Sequence, residues 1–228
     1  MGLEYPHFLI NFKSTAATVG RDGLAFAETI DRVSADTGRR FVVSPHHSDI
    51  RLIADRTSLP VVAQSATPAA TSETGAVTCE AVAAAGADGI FVNHPENPTP
   101  FTAVARTVER CSELGLESIV CVTDRRTARA ALTLEPDCLL FERQADVAAD
   151  DATIRSEPAR IDAIVDLVSR ERPETAVFVG GGIRTATDVE RAFDLGVDAT
   201  GAASAALEAD DREAWLRSIA AAIPQSLE

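Results

Sequence analysis

Eight short apolar runs punctuate the chain, and between them the apolar residues recur at helical spacing. The runs are FLINF (8–12), FVVSP (41–45), PVVAQ (60–64), GIFVNH (89–94), SIVCVTD (118–124), CLLFER (138–143), AVFVGGG (176–182) and DATGAAS (198–204). Each places several apolar or small residues in succession, the signature of a parallel strand buried on both faces. The eighth is the weakest strand signal, being rich in Ala and Gly. Between the first two runs, Leu24, Ala27, Ile30 and Val33 line one side of a predicted helix over 23–38 that stops at Gly38. DIRLIADR, TCEAVAAAG, TPFTAVARTVERCSELG and TARAALTL repeat the pattern after runs two to five. ARIDAIVDLVSR, TATDVERAFDLG and DREAWLRSIAAAI complete it. Several of these open on Asp or Thr and close on Gly, as capping chemistry requires.

Eight βα units in 228 residues predict an α/β protein built as a single (βα)8 barrel, one domain over 1–228 with no internal linker. A doubly wound open sheet is the competing architecture. It usually has fewer units for this length, and no GxGxxG follows the first run. In a barrel the chemistry sits at the C-terminal ends of the strands, so those positions carry the functional question.

Composition narrows the classes of partner. The formal net charge is −14, from 35 acidic and 21 basic residues. That excludes a broad basic surface for nucleic acid or an anionic membrane. Of the 21 Lys and Arg residues, Lys13 is the single lysine. Two explanations of this bias stand: adaptation to high salt, which screens carboxylate repulsion, or arginine codons favoured by a GC-rich genome. The opening MGLEYPHFLINF is too short and acidic for a secretory leader, and no apolar run reaches the ~18 residues of a membrane span. The expectation is a cytoplasmic protein with reduced thiols at Cys79, Cys111, Cys121 and Cys138, which show no CxxC and no close pairing in sequence.

At the predicted strand ends stand Asn11 and Lys13 after run one, His94 and Glu96 after run four, and Glu142 at the end of run six. Alternation sends Asn11 and Lys13 to one side and Phe12 to the other. Each alone has an ordinary reading: a solvated lysine, a hydrogen-bonded histidine, a glutamate paired with arginine. Together at one barrel mouth they suggest a proton-transfer site. Gly180-Gly181-Gly182 after run seven lets backbone approach a ligand closely, and the helix N-terminus that follows favours an anion; a tight turn is the simpler reading. His46-His47-Ser48-Asp49 is a thin candidate for metal ligands, and no metal or other cofactor is expected.

NFK after the first run, NHPEN after the fourth, the glutamate ending the sixth and GGGIRTATDV after the seventh resemble the triosephosphate isomerase family, in its shorter archaeal form, along essentially the whole chain. The family is itself a standard example of a glutamate base beside a neutral histidine. The resemblance implies the TIM-barrel fold and an aldose–ketose isomerase of glycolysis and gluconeogenesis acting on a small sugar phosphate. It implies Glu142 as base, His94 as the group that polarises the carbonyl, and Lys13 as a compact charge stabilising the enediolate. Asn11 would orient the site and Glu96 would fix its charges. The anion site would comprise Gly181, Gly182, Arg184, Ala203 and Ser204.

The chain also departs from the family. Pro95 replaces a serine, Arg184 a small hydroxyl residue, and Ala203-Ser204-Ala205 a Ser-Gly. The lid that should grip the phosphate carries Ala148-Ala149-Asp150-Asp151 at its tip, where two carboxylates would repel an anion by roughly 1–3 kcal/mol at about 5 Å. Weak activity on triose phosphate is therefore expected, with a different anionic substrate or a non-catalytic binding barrel as alternatives. Thr74-Gly75 matches a family loop that reaches into a neighbouring subunit, although Glu73 stands where a histidine is usual; a homodimer or homotetramer is expected.

Overall fold

The computed structural model describes residues 2–68, 74–143 and 153–227. Eight strands are all parallel: β1 His7–Asn11, β2 Phe41–Ser44, β3 Val62–Ala63, β4 Gly89–Val92, β5 Glu117–Val122, β6 Cys138–Phe141, β7 Ala176–Val179 and β8 Ala199–Ala202. They run in the order β2-β1-β8-β7-β6-β5-β4-β3, and a bridge between Val43 and Val61 joins the two outer members. The sheet thus closes on itself as a (βα)8 TIM barrel, the architecture predicted from unit count.

The helices are α1 Arg21–Thr37, α2 Ile50–Ala54, α3 Cys79–Ala84, α4 Phe101–Leu114, α5 Arg125–Leu132, α6 Thr153–Ser156, α7 Pro158–Glu171, α8 Ala186–Asp194, α9 Ser204–Glu208 and α10 Arg212–Ala222. Their ends follow the caps read from sequence. Gly38 and Gly115 terminate α1 and α4 in the left-handed conformation, at φ 63° and 69°. Asp124 and Thr127 form a capping box on α5, as do Thr185 and Asp188 on α8. No helix among the described residues is long and apolar enough to cross a membrane.

Period-2 alternation sorts each strand between two apolar clusters. Leu9, Val42, Val62, Phe91, Ile119, Leu140 and Phe178 fill the barrel interior. Phe8, Ile10, Phe41, Val43 and Leu139 point outward into the layer beneath the helices. Burying side chains such as Phe8 and Phe41, at most 1% exposed, stabilises by about 2–3 kcal/mol each. The weak eighth run does form a strand, and its glycine explains its composition. A Cβ on Gly201 would stand 2.4 Å from the Leu9 carbonyl oxygen of β1, so only glycine permits this approach.

A repeated device fixes the opposite, N-terminal rim. Asp88, Asp137 and Asp198 each precede an even-numbered strand. Each carboxylate accepts the N–H of the preceding odd strand: Val61 at 2.8 Å, Ser118 at 2.8 Å and Val177 at 2.7 Å. At β2 the same place is taken by Arg40, whose carbonyl accepts from Phe8 N–H at 3.0 Å. This rim sets strand register, which places the side chains at the other mouth.

Candidate active site

The chain leaves β1 under tight control. Phe12 is fully buried, and its carbonyl accepts the Thr18 hydroxyl at 2.8 Å. Lys13 then adopts φ 55°, a left-handed conformation uncommon for a residue with a side chain. Two neighbours hold it there. The Asn11 Oδ1 accepts Lys13 N–H at 2.9 Å, and the Gln64 amide donates to Lys13 O at 2.9 Å and to Ser44 O at 3.2 Å. The turn aims Nζ at Glu96, with which it makes an ion pair. The Lys13 ammonium holds the Glu96 carboxyl below the usual range.

The strand β4 ends in a similar turn. Asn93 sits at φ 62°, a conformation Asn tolerates, and its Oδ1 accepts Thr99 N–H at 2.9 Å. Asn97 N–H returns to His94 O at 2.7 Å. This curl brings Glu96 N–H to His94 Nδ1 at 3.2 Å. Nδ1 therefore acts as acceptor and the ring proton resides on Nε2. That nitrogen lies 3.1 Å from Glu142 Oε2, the two side chains being only 10% and 12% exposed. The tautomer is fixed by a turn amide, since α4 begins only at Phe101. Gly180 leaves room for this carboxylate: a Cβ there would be 3.3 Å from Glu142 Cδ.

The glycine run passes through φ 81° at Gly181 and 69° at Gly182, values that favour glycine. Asp188 anchors the turn. Its buried carboxylate accepts N–H groups from Arg184 and Thr185, each at 3.1 Å, and Arg155 at 2.8 Å. Burial would push this carboxyl up, but the Arg155 guanidinium and those N–H groups outweigh it and hold it below the ordinary range. Arg155 also donates to Gly182 O at 3.2 Å, and Trp215 Nε1 to Arg184 O at 2.9 Å.

Asn11, Lys13, His94 and Glu142 line a cavity of ≈ 70 Å³ at the C-terminal mouth together with Gly181, Gly182, Arg184, Ala203 and Ser204. A carboxylate, an imidazole N–H and an ammonium thus face a pocket with a glycine-rich wall. The family profile described as triosephosphate isomerase matches residues 6–155. At 34% identity over 212 residues, the triosephosphate isomerase of Pyrobaculum arsenaticum aligns with 92% of this chain and 94% of its own length. The chain belongs to the triosephosphate isomerase family.

Further comparisons fit that membership. The triosephosphate isomerase of Methanothermus fervidus is 30% identical over 218 residues, covering 95% of this chain and 98% of that protein. The crystal structure of triosephosphate isomerase from Bartonella henselae matches at TM-score 0.72 over 95% of this chain and 98% of that one. At 14% identity that match is a likeness of fold. A second profile, described as histidine biosynthesis protein, matches residues 147–226, the portion that contains the glycine run.

The family resemblance placed Glu96 in the site, and it stands one step back. It lines the adjoining cavity of ≈ 420 Å³ and contacts Lys13 and the His94 turn. Gln64, Asp188 and Arg155 escaped sequence reasoning. The capping-box spacing of Thr185 and Asp188 was available as a signal for Asp188; nothing local marked the other two. His47 Nε2 bonds Ser65 O at 2.6 Å and His46 caps its own turn, and no group of three or more metal-type side chains gathers among the described residues. The lid tip Ala148–Asp151 and Glu73 lie outside the described residues.

Proposed function

We propose that this protein interconverts the aldose and ketose forms of a triose phosphate, glyceraldehyde 3-phosphate and dihydroxyacetone phosphate, through an enediolate. The observation that carries the reading is the His94–Glu142 pair, in which Nε2–H faces the carboxylate inside a cavity that Lys13 also lines. A substrate seated between them presents its carbonyl oxygen to His94 Nε2–H and the adjacent carbon to Glu142. Glu142 removes the carbon-bound proton, and the electron pair moves onto the carbonyl oxygen. His94 donates to that oxygen, and Lys13 opposes the charge as it develops. His94 then takes the proton from the neighbouring hydroxyl oxygen, which becomes the new carbonyl, and Glu142 returns its proton to the former carbonyl carbon, completing the isomerisation. Hydrogen and electrons balance within one molecule, so the reaction itself calls for no redox cofactor.

The phosphate would rest on the backbone of Gly181, Gly182 and Ala203–Ser204 with Arg184 as a charged flank. Loops after strands seven and eight, with a short extra helix, are the usual phosphate site of this architecture. The test is a direct isomerase assay on glyceraldehyde 3-phosphate in dilute buffer and in molar KCl, with Glu142→Gln as control. Turnover lost at least ~1,000-fold in the variant supports the reading, whereas no turnover in either buffer by the native chain rejects it. Replacing Asp150 and Asp151 with Asn in the same assay should raise kcat/KM about tenfold by removing repulsion from the phosphate.

Self-association and a cytoplasmic, high-salt setting belong to the same reading. Gly75, at φ 86°, and half-exposed Val77 stand on the described limb of the loop after β3, beside His94, where the resemblance implies a subunit contact. Sedimentation in molar KCl should give a dimer or tetramer, and a monomer at micromolar concentration would reject that part.

A further inference from the structure

The glycine-rich wall of the mouth has a carboxylate behind it. Asp188 lies in the first turn of α8 with its side chain only 4% exposed, and its two oxygens have separate tasks. Oδ2 accepts the N–H groups of Arg184 and Thr185 and the Thr185 hydroxyl, each at 3.1 Å. Oδ1 accepts Nη1 of Arg155 at 2.8 Å. A carboxylate this buried is costly unless paired, and behind a wall that meets an anion its charge would also repel the ligand. Arg155 supplies the pairing from α6. The same nitrogen makes a second bond: Nη1 donates to Gly182 O at 3.2 Å, which turns that carbonyl back toward Arg155. The peptide that follows is planar and trans, so the Ile183 N–H points the opposite way. Gly181, Gly182 and Ile183 all line the mouth cavity, and their N–H groups have no acceptor among the described residues.

We propose that Arg155 is a specificity-determining residue for the anionic end of the substrate. It cancels the Asp188 charge behind the glycine wall and holds the Gly182 carbonyl off the ligand, so that the wall presents N–H groups to a phosphate. Arg155 is not among the residues that line the cavity, so it acts through the wall and is a positioning residue. The inference rests on the triose phosphate reading only in taking the phosphate as the group that meets this wall. It separates two contributions that a contact map merges. One is the tether to Gly182 O, which any donor of the right length supplies. The other is charge balance, which only a cation supplies while Asp188 stays a carboxylate. The division of labour between the two Asp188 oxygens lets them be tested apart. Asp188→Asn keeps an oxygen for the Arg184 and Thr185 N–H groups and replaces only the atom that met Arg155, removing the charge.

The experiment is calorimetric titration of inorganic phosphate into the native chain, Arg155→Met, Arg155→Lys and Arg155→Met/Asp188→Asn. All are measured at one KCl concentration, with folding checked by circular dichroism. Arg155→Met should bind phosphate at least ~10-fold more weakly, because the Asp188 charge is then unpaired. Arg155→Lys should regain most of the loss, and the double variant, which has neither charge, should return to within about threefold of native. In Arg155→Met the KM for glyceraldehyde 3-phosphate should rise by a similar factor, with kcat changing less. Asp188→Asn alone should bind phosphate more tightly than the native chain, which decides the matter if Arg155→Met fails to fold. Native affinity in Arg155→Met would overturn the proposal, as would a native chain that binds no phosphate. A double variant as weak as Arg155→Met would also overturn it, since Arg155 would then be a tether with no part in charge balance. A native chain that binds phosphate on these terms yet turns over no triose phosphate would reject the isomerase reading alone and leave the role of Arg155 standing.

Discussion

Lys13 occupies a backbone conformation that its side chain disfavours, at φ 55°; two groups hold the backbone there and a third binds the side chain. Asn11 takes its N–H, Gln64 takes its carbonyl, and Glu96 takes its ammonium. In the proposed mechanism the ammonium acts as a compact charge at the end of this fixed stem. A guanidinium is longer and forked, so Lys13→Arg should lose at least ~100-fold in kcat with the fold intact by circular dichroism. Near-native turnover would mean that Lys13 serves only as a partner for Glu96. Gln64 contacts the site through Lys13 and is a positioning residue. Gln64→Ala leaves Lys13 O unmet and frees the turn, which should cost about 1–3 kcal/mol in kcat/KM, mostly through kcat. Gln64→Glu would place an acceptor against the carbonyls of Lys13 and Ser44 and should be worse than alanine. A variant in which KM alone rises would show that Gln64 acts on binding.

Elements were more legible in the sequence than the contacts that lock them. The strands could be read because nearly all of their residues are buried on both faces. The main helices could be read because their caps and apolar spacing agree. The residues α6 and α9 comprise, Thr153–Ser156 and Ser204–Glu208, are too short to show a period. Lys13, His94 and Glu142 were legible because strand-end chemistry and a family resemblance coincided there. Gln64 and Arg155 depend on pairings between distant parts of the chain, which spacing does not encode. The rim aspartates are intermediate. Asp88, Asp137 and Asp198 visibly precede alternate apolar runs, but their bond to the previous strand needs the register of the closed sheet. Each Asp→Ala change should orphan a strand N–H and cost about 1–3 kcal/mol, lowering Tm by roughly 2–10 °C without altering kcat. Equal Tm values for Asp137→Ala and the native chain would show that water replaces the carboxylate there.

For the whole molecule, the acidic groups divide by where they sit. At the closed end of the barrel, burial pushes Glu117 and Asp198 up, although Glu117 accepts Leu3 N–H and the Tyr5 hydroxyl and Asp198 accepts Val177 N–H. A folded value above the unfolded one means that stability falls as pH rises from the ordinary carboxylate range through the folded value. Glu117→Gln keeps an acceptor for Leu3 and should therefore raise Tm at pH 8 more than at pH 4; an equal change at both would show that Glu117 ionises without penalty. The far larger effect is the net charge of −14. Arginine–carboxylate pairs such as Arg217–Asp36 at 2.8 Å and Arg129–Glu171 at 2.6 Å offset part of it. Those exposed pairs are worth at most about 1 kcal/mol each and touch directly, within even the ~3 Å screening length of molar salt. The repulsion among unpaired carboxylates acts over longer distances and is cut off by the same salt. Screening therefore removes more repulsion than attraction, and Tm should climb by several degrees between dilute buffer and molar KCl, equally in NaCl. A flat curve would leave the arginine-rich, lysine-poor composition to codon usage, and a falling one would mean that the ion pairs outweigh the net charge.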